Sequence, residues 1–181
     1  MSVRGVLQVH SAPPALCSHV EWAVAGVIGV PVSLPWVDQA AAPGMVRAEL
    51  DWQGSPGASA AITSALAGWS RLRFEVTEEA SPGCDAVRYS YTPDLGIFSA
   101  VTMANGDVLI PESRLRAAMA AAATPVMAGS LRPGAPGSLP DRVGSLQDEI
   151  ARLLGQPWDD ELEPFRCAGD GAPVRWLHAT G

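Results

Sequence analysis

Val3, Leu7 and Val9 alternate with Arg4, Gln8 and His10 at the start of the chain. A two-residue period of this kind marks a strand with one buried face. Ser11-Ala12-Pro13-Pro14 breaks the pattern, and the two prolines suit a helix start. From Ala15 to Val27 the residues Leu16, Val20, Ala23, Val24 and Val27 recur at helical spacing, and Gly26 and Gly29 loosen the end. Val30–Val37 is apolar and β-branched and reads as a strand, confined to a sheet edge because Pro31 and Pro35 have no N–H for the ladder. Val46, Ala48, Leu50 and Trp52 then face one way, with Arg47, Glu49, Asp51 and Gln53 facing the other. Ala58–Trp69 carries Ile62, Ala65, Leu66 and Trp69 on one helical stripe. Leu72, Phe74 and Val76 alternate with Arg71, Arg73 and Glu75 as a further strand.

The order through residues 1–80 is therefore β-α-β-β-α-β, the ferredoxin-like split βαβ arrangement of an α+β protein. In it two helices cover one face of a four-stranded sheet and leave the other face free. The rest is less regular. Arg88–Tyr91 reads as a short strand, and Pro93-Asp94-Leu95-Gly96 as a turn. Ile97–Met103 and Val108–Ile110 flank Asn105-Gly106, a strong hairpin signal. Ser113 caps a helix running to about Ala123, and Leu146, Ile150, Leu153 and Leu154 mark another. The stretch 124–142 holds four prolines and reads as a flexible Pro/Gly-rich insertion. Trp158 to Phe165 reads as a short acidic helix ended near Pro164, and Val174–His178 as a closing strand. The expected organisation is one domain over 1–181. Residues 81–123 and 143–181 form a second half, a hairpin with two or three helices and the closing strand, packed onto the same sheet or core.

Composition narrows the function classes. With 48% hydrophobic and 17% charged residues, the chain has enough apolar side chains for a real core. No apolar run reaches the ~18 residues of a membrane span, and the N-terminus lacks the pattern of a secretory signal. A net charge of −7 disfavours nucleic acid and anionic membranes as partners. Every basic residue is an arginine, so a phosphate loop of the GxxxxGK type is impossible. The three cysteines, Cys17, Cys84 and Cys167, do not form a disulfide framework, and a reducing cytoplasm is the simplest setting. No GxSxG, HExxH or paired CxxC occurs, and no metal or cofactor is implied.

Candidate chemistry gathers in three places. His10, at the end of the first strand, precedes Cys17 and His19 at the start of a helix. A cysteine near a helix N-terminus, with an imidazole as base, has the makings of a nucleophile, so an enzyme using Cys17 with His10 or His19 is one reading. The second place is the polar sheet face. If the strand carrying Arg4 lies between those carrying Arg47 and Arg71/Arg73, four arginines share one surface, beside Glu49, Asp51 and Glu75. Guanidinium forks suit carboxylate or phosphate. The competing expectation is that this face is ion-paired across strands or covered by the second half of the chain. The third place is the acidic run Asp159, Asp160, Glu161 and Glu163, which suits a cation or a protein partner. Six tryptophans occur, and four of them fall on expected core stripes.

The blocks VHSAPPALCSHVEWA (9–23), RFEVTEEASPGCD (73–85), YTPDLGIF (91–98) and LGQPWDDELEPFR (154–166), with the closing PVRWLH (173–178), resemble an actinobacterial family known only as a domain of unknown function. The resemblance spans almost the whole chain and departs at 124–142, which is longer here. It implies no activity, cofactor or catalytic residue. What the resemblance implies of function is a tilt toward an accessory or regulatory role linked to fatty-acid metabolism, since members of such a family are sometimes encoded near fatty-acid synthesis genes. Together these observations lead to a non-enzymatic cytoplasmic protein that receives a small anionic ligand at Arg4, Arg47, Arg71 and Arg73. The alternatives are the Cys17 enzyme and an interaction module using 159–163. Oligomeric state is left open.

Overall fold

β1 (Val3–Ala12) forms where the alternation predicts and pairs antiparallel on both sides, with β3 (Val46–Gly54) and with β4 (Arg73–Glu78). The structure, a computed structural model, describes residues 2–123 and 139–166. Outside β3 lies β2 (Val37–Asp38), and beyond β4 follow β5 (Ala86–Thr92), β6 (Gly96–Thr102) and β7 (Val108–Leu109). The seven strands form one sheet in the order β2-β3-β1-β4-β5-β6-β7, every pairing antiparallel. Both edge strands are two residues long, which limits the unpaired backbone offered to other chains. With the five described helices this is a mixed α+β protein.

Alternation along the strands decides what is buried. Val3, Leu7 and Val9 of β1 meet Phe74 and Val76 of β4 on one face. The core there is closed by Val20 and Val24 of α1 (Cys17–Ile28) and by Ile62 and Leu66 of α2 (Ala58–Leu66). Burying each large apolar side chain stabilises by about 1.5–3 kcal/mol, so this face carries most of the fold's stability. Gly5 lets Trp52 lie across β1: a Cβ there would stand 2.0 Å from the Thr77 carbonyl oxygen and 2.3 Å from Trp52 Cζ2. Glu78 also points to this side. Its carboxylate accepts from the backbone N–H groups of Gly57 (2.8 Å) and Ser59 (3.0 Å) and from Ser59 Oγ (2.7 Å), filling the positive N-terminal end of α2.

Several expectations are corrected. Residues 30–36 are not a strand; only Val37–Asp38 pairs. Pro31 and Pro35 lack ladder donors, and Glu21 instead accepts from Leu34 N–H (2.8 Å) and Trp36 Nε1 (3.1 Å). α2 stops at Leu66, short of Trp69. Trp22 is 80% exposed, whereas Trp52 is buried and Trp36 and Trp69 are half-buried. The Asn105-Gly106 turn joins β6 and β7 as expected, with Gly106 at φ +88°.

The helix expected from Ser113 is α3 (Glu112–Ala123); it begins one residue earlier, so Ser113 lies inside its first turn and is not its cap. The fourth helix, α4 (Leu139–Leu154), begins inside the stretch expected to be an insertion, and its second residue is Pro140, a position where proline's missing N–H costs nothing. The remainder of that insertion and the expected strand Val174–His178 lie outside the described residues. The last helix, α5 (Gln156–Arg166), continues past Pro164. Among the described residues, contacts gather 2–109 and 158–166 into one unit, and 110–123 with 139–157 into a second, in which α3 packs on α4. Among the described residues no helix is long and apolar enough to cross a membrane.

Candidate functional site

The second face of the sheet is partly roofed by α5. A buried leucine, a ring contact and a hydrogen bond place the helix. Leu162 is fully buried, Trp158 lies 5.2 Å from the Phe98 ring, and the Trp158 indole N–H donates to the Gly96 carbonyl at 3.0 Å. At the other end, Gln39 donates to the carbonyls of His10 (2.5 Å) and Phe165 (3.1 Å). The roof covers β4–β6, while Arg4, Glu49, Asp51 and Gln53 on the β1–β3 side stay exposed.

Under that roof lies a buried ionic network. Both ladders of β1 skip His10: Val9 pairs with Ala48 and Phe74, whereas Ser11 pairs with Arg73 and Ala12 with Val46. Such a bulge re-aims a side chain, and here it sets His10 Nε2 2.7 Å from Glu75 Oε2. Glu75 Oε1 accepts from Arg88 Nη2 (2.7 Å), Arg166 Nη2 (2.7 Å) and Ser90 Oγ (3.1 Å), and Oε2 accepts from Arg166 Nε (2.9 Å). Asp159 accepts from Arg166 Nη2 at 2.7 Å and pairs with Arg88. Burial by itself raises the Glu75 carboxyl. The hydrogen bond and charge of His10, the charge of Arg88 and the hydrogen bond from Arg166 outweigh it and hold the group well below the usual carboxylate range. Burial lowers both guanidiniums, but Glu75 and Asp159 more than offset it and leave them raised. Two carboxylates face two guanidiniums, and the donors and acceptors are used on one another. The arrangement fixes α5 to the sheet.

Beside the C-terminal end of α5 opens a cleft of about 340 Å³. Ser11, Met45, Ser70, Arg71, Arg73 and Phe165 line it, with Pro93 and Asp94 completing the wall. Arg71 is exposed, and its guanidinium touches the Met45 sulfur at 3.9 Å. Arg73 is half-buried. Its Nε and Nη2 each stand 3.2 Å from Glu161 Oε1, and its Cζ lies 4.8 Å from the Phe165 ring centroid.

The structure thus brings together two of the four arginines. Arg71 precedes β4 and Arg73 begins it, and both line the cleft. Arg4 pairs with Gln53, seven residues along β1 from Ser11, or about 23 Å at strand rise. Arg47 is half-buried opposite the bulge, two residues from Met45, and does not line the cleft.

Cys17 is the first residue of α1, and His19 is exposed. No hydrogen bond joins Cys17 to either histidine among the described residues, and burial together with the Glu21 charge pushes its thiol up despite a backbone hydrogen bond that lowers it. A raised thiol is the opposite of an activated nucleophile. No group of three or more His, Cys, Asp or Glu suited to a metal occurs among the described residues. The acidic run is turned partly inward: Asp159 and Glu161 bond the sheet's arginines, and Glu163 pairs with Arg166 at 3.5 Å. Sequence reasoning did not single out Arg88 or Arg166. Alternation alone sets Arg88 beside Glu75, but nothing local signals that α5 lands on them.

A family model described as "Protein of unknown function (DUF3145)" matches residues 6–179. The chain belongs to this family. No curated protein and no solved structure matches it. Within DUF3145 the matched stretch contains the bulge, the buried network, α5 and every residue lining the cleft, whereas Arg4 falls before it. The resemblance read from the sequence blocks is thereby shown at the level of the family.

Proposed function

We propose that this protein is a non-enzymatic cytoplasmic accessory protein that binds a small anionic ligand in the cleft at Arg71 and Arg73. The observation that carries this reading is Arg71: an exposed guanidinium in the wall of an open cleft, beside a second arginine. Arginine forks match carboxylate and phosphate oxygens, and the Ser11 and Ser70 hydroxyls add neutral partners. The Met45 thioether and the Phe165 ring offer apolar contact to the rest of a ligand. A volume of about 340 Å³ lies at the lower end of small-molecule sites, which favours a compact ligand.

Two observations support binding over catalysis or protein docking. The buried carboxylate Glu75 and its partner Arg166 are spent on holding α5. Asp159 and Glu161, needed for an acidic docking surface, are paired with arginines of the sheet. On this reading the strands β2-β3-β1-β4 with α1 and α2 are a ferredoxin-like half, extended by β5–β7, and α5 builds one wall of the ligand site.

The test is a thermal-shift panel of acyl-CoAs, nucleotides, sugar phosphates, citrate and inorganic phosphate; the acyl-CoAs address a link to fatty-acid metabolism. A ligand at 100 times its Kd adds about 2.7 kcal/mol, a rise of about 5–10 °C at this chain length. A salt-sensitive rise lost in Arg71→Ala and kept in Arg4→Ala supports the reading. Silence across the anions, or a rise indifferent to Arg71→Ala, overturns it.

A further inference from the structure

We propose that Glu161 is a built-in competitor for the anion site, so that ligand binding and the seating of α5 are linked; this rests on the reading of the cleft as an anion site. Arg73 belongs to two structures at once. It lines the cleft, and it tethers α5 through Glu161 and Phe165. Glu161 and Phe165 are four residues apart on α5, hence on one helix face, and both engage the same guanidinium.

The geometry sets the competition. Glu161 Oε1 takes the Nε and Nη2 edge of Arg73, the edge that an incoming carboxylate or phosphate would grip with two parallel hydrogen bonds. A ligand reaching for that edge must displace Glu161. The displacement is feasible because the Arg73 and Glu161 side chains are each 22% exposed, and a partly solvated ion pair contributes little. α5 stays docked but less tightly held, since Asp159, Arg166, Trp158 and Leu162 keep it on the sheet through groups the ligand does not touch while the Glu161 tether is released.

Arg71 supplies the first attraction, and Glu161 sets how much of it is cancelled. Linkage then works in both directions: an anion on Arg73 loosens the α5 clamp, and tightening the clamp weakens the anion.

The experiment titrates the full chain with citrate and with inorganic phosphate, and follows amide hydrogen exchange over 158–166 with and without saturating probe. Removing the competing carboxylate in Glu161→Gln should tighten binding about two- to fivefold, the range of a partly exposed ion pair. Asp160→Asn removes the same charge one position away and should tighten it less. Glu161→Asp keeps the charge on a shorter arm and should fall between wild type and Glu161→Gln. In wild type the probe should speed exchange in α5, and in Glu161→Gln that probe-dependent change should shrink.

Wild-type binding lost in Arg71→Ala, with Glu161→Gln binding no tighter than Asp160→Asn, overturns the competition and leaves the cleft reading standing. No binding of either probe to wild type or to Glu161→Gln overturns the cleft reading and the inference together.

Discussion

His10 Nε2 stands 2.7 Å from Glu75 Oε2 because β1 carries an extra residue that both neighbouring ladders skip. Glu75 is thereby the hub that joins β1, β4, β5 and α5. A buried carboxylate facing two guanidiniums is costly to remove, since its loss leaves charges unpaired beneath α5.

Glu75→Gln should accordingly destabilise the fold by about 3–5 kcal/mol, the range for breaking one side of a buried ion pair. Arg116→Ala provides the contrast. Its partner is Glu112, both side chains are more than three-quarters exposed, and the change should stay within about 0.5 kcal/mol. Urea unfolding followed by tryptophan fluorescence reads both. Equal effects would mean that the network does not hold α5.

Acid should attack the same network. Glu75 has a folded pKa below its unfolded value, so its contribution to stability is fully present above the ordinary carboxyl pKa and is lost as pH falls through the lower folded value. Stability should decline from about pH 4.5 downward in wild type, and more shallowly in Glu75→Gln. Urea midpoints measured from pH 7 to pH 3 test the difference in slope. Parallel curves would remove Glu75 as the group responsible.

Gly5→Ala should fail on the opposite face. The new Cβ meets a backbone oxygen of β4 and the Trp52 ring, and neither is the free end of a flexible side chain. β1 and β4 must separate locally, at a cost of about 1–3 kcal/mol or more. The readout is a lower melting temperature with an altered Trp52 fluorescence environment. An unchanged melt would show that Trp52 can move aside.

Much of the fold is legible locally, and the failures have physical causes. β1, β3 and β4 were readable because one face of each is buried and the other is polar, so a two-residue period survives. Val30–Val37 misled because apolar and β-branched composition does not imply a ladder: Leu34 is buried as coil and held by Glu21, while Val30 and Val37 are exposed. Pro164 suggested a helix end, but Phe165 and Arg166 are anchored on the sheet, and that packing carries the helix two residues further. Arg71, Arg73 and Glu75 fell on one side by alternation. The network did not follow, because Glu75 and Arg166 are 91 residues apart, Arg88 and Asp159 are 71 apart, and the bulge at His10 has no local signature.

Cys17 should react slowly with iodoacetamide at neutral pH, and Cys84 should react before it. Cys84 is exposed, while Cys17 is half-buried with its thiol pushed up by burial and by Glu21. The thiolate is the reacting form, so a raised pKa slows alkylation. Peptide mass spectrometry over a time course separates the two sites. Faster labelling of Cys17 would restore the nucleophile reading.

The two cleft arginines should separate into a ligand residue and a dual residue. Arg71 is exposed and touches one sulfur, so Arg71→Ala should change stability by no more than about 0.5 kcal/mol while abolishing the anion-induced thermal shift. Arg73→Ala removes the Glu161 pair and the Phe165 stack together. Partly exposed ion pairs and cation–π contacts contribute up to about 1 kcal/mol each, so a loss of about 1–2 kcal/mol should accompany the loss of binding. Urea melts on the free proteins measure the stability arm, and citrate titration measures the binding arm. If Arg73→Ala lost binding with no loss of stability, Arg73 would serve the ligand alone and α5 would rest on the Glu75 network. If it lost stability and kept binding, Arg73 would be a tether for α5 and the anion site would reduce to Arg71 with its serine neighbours.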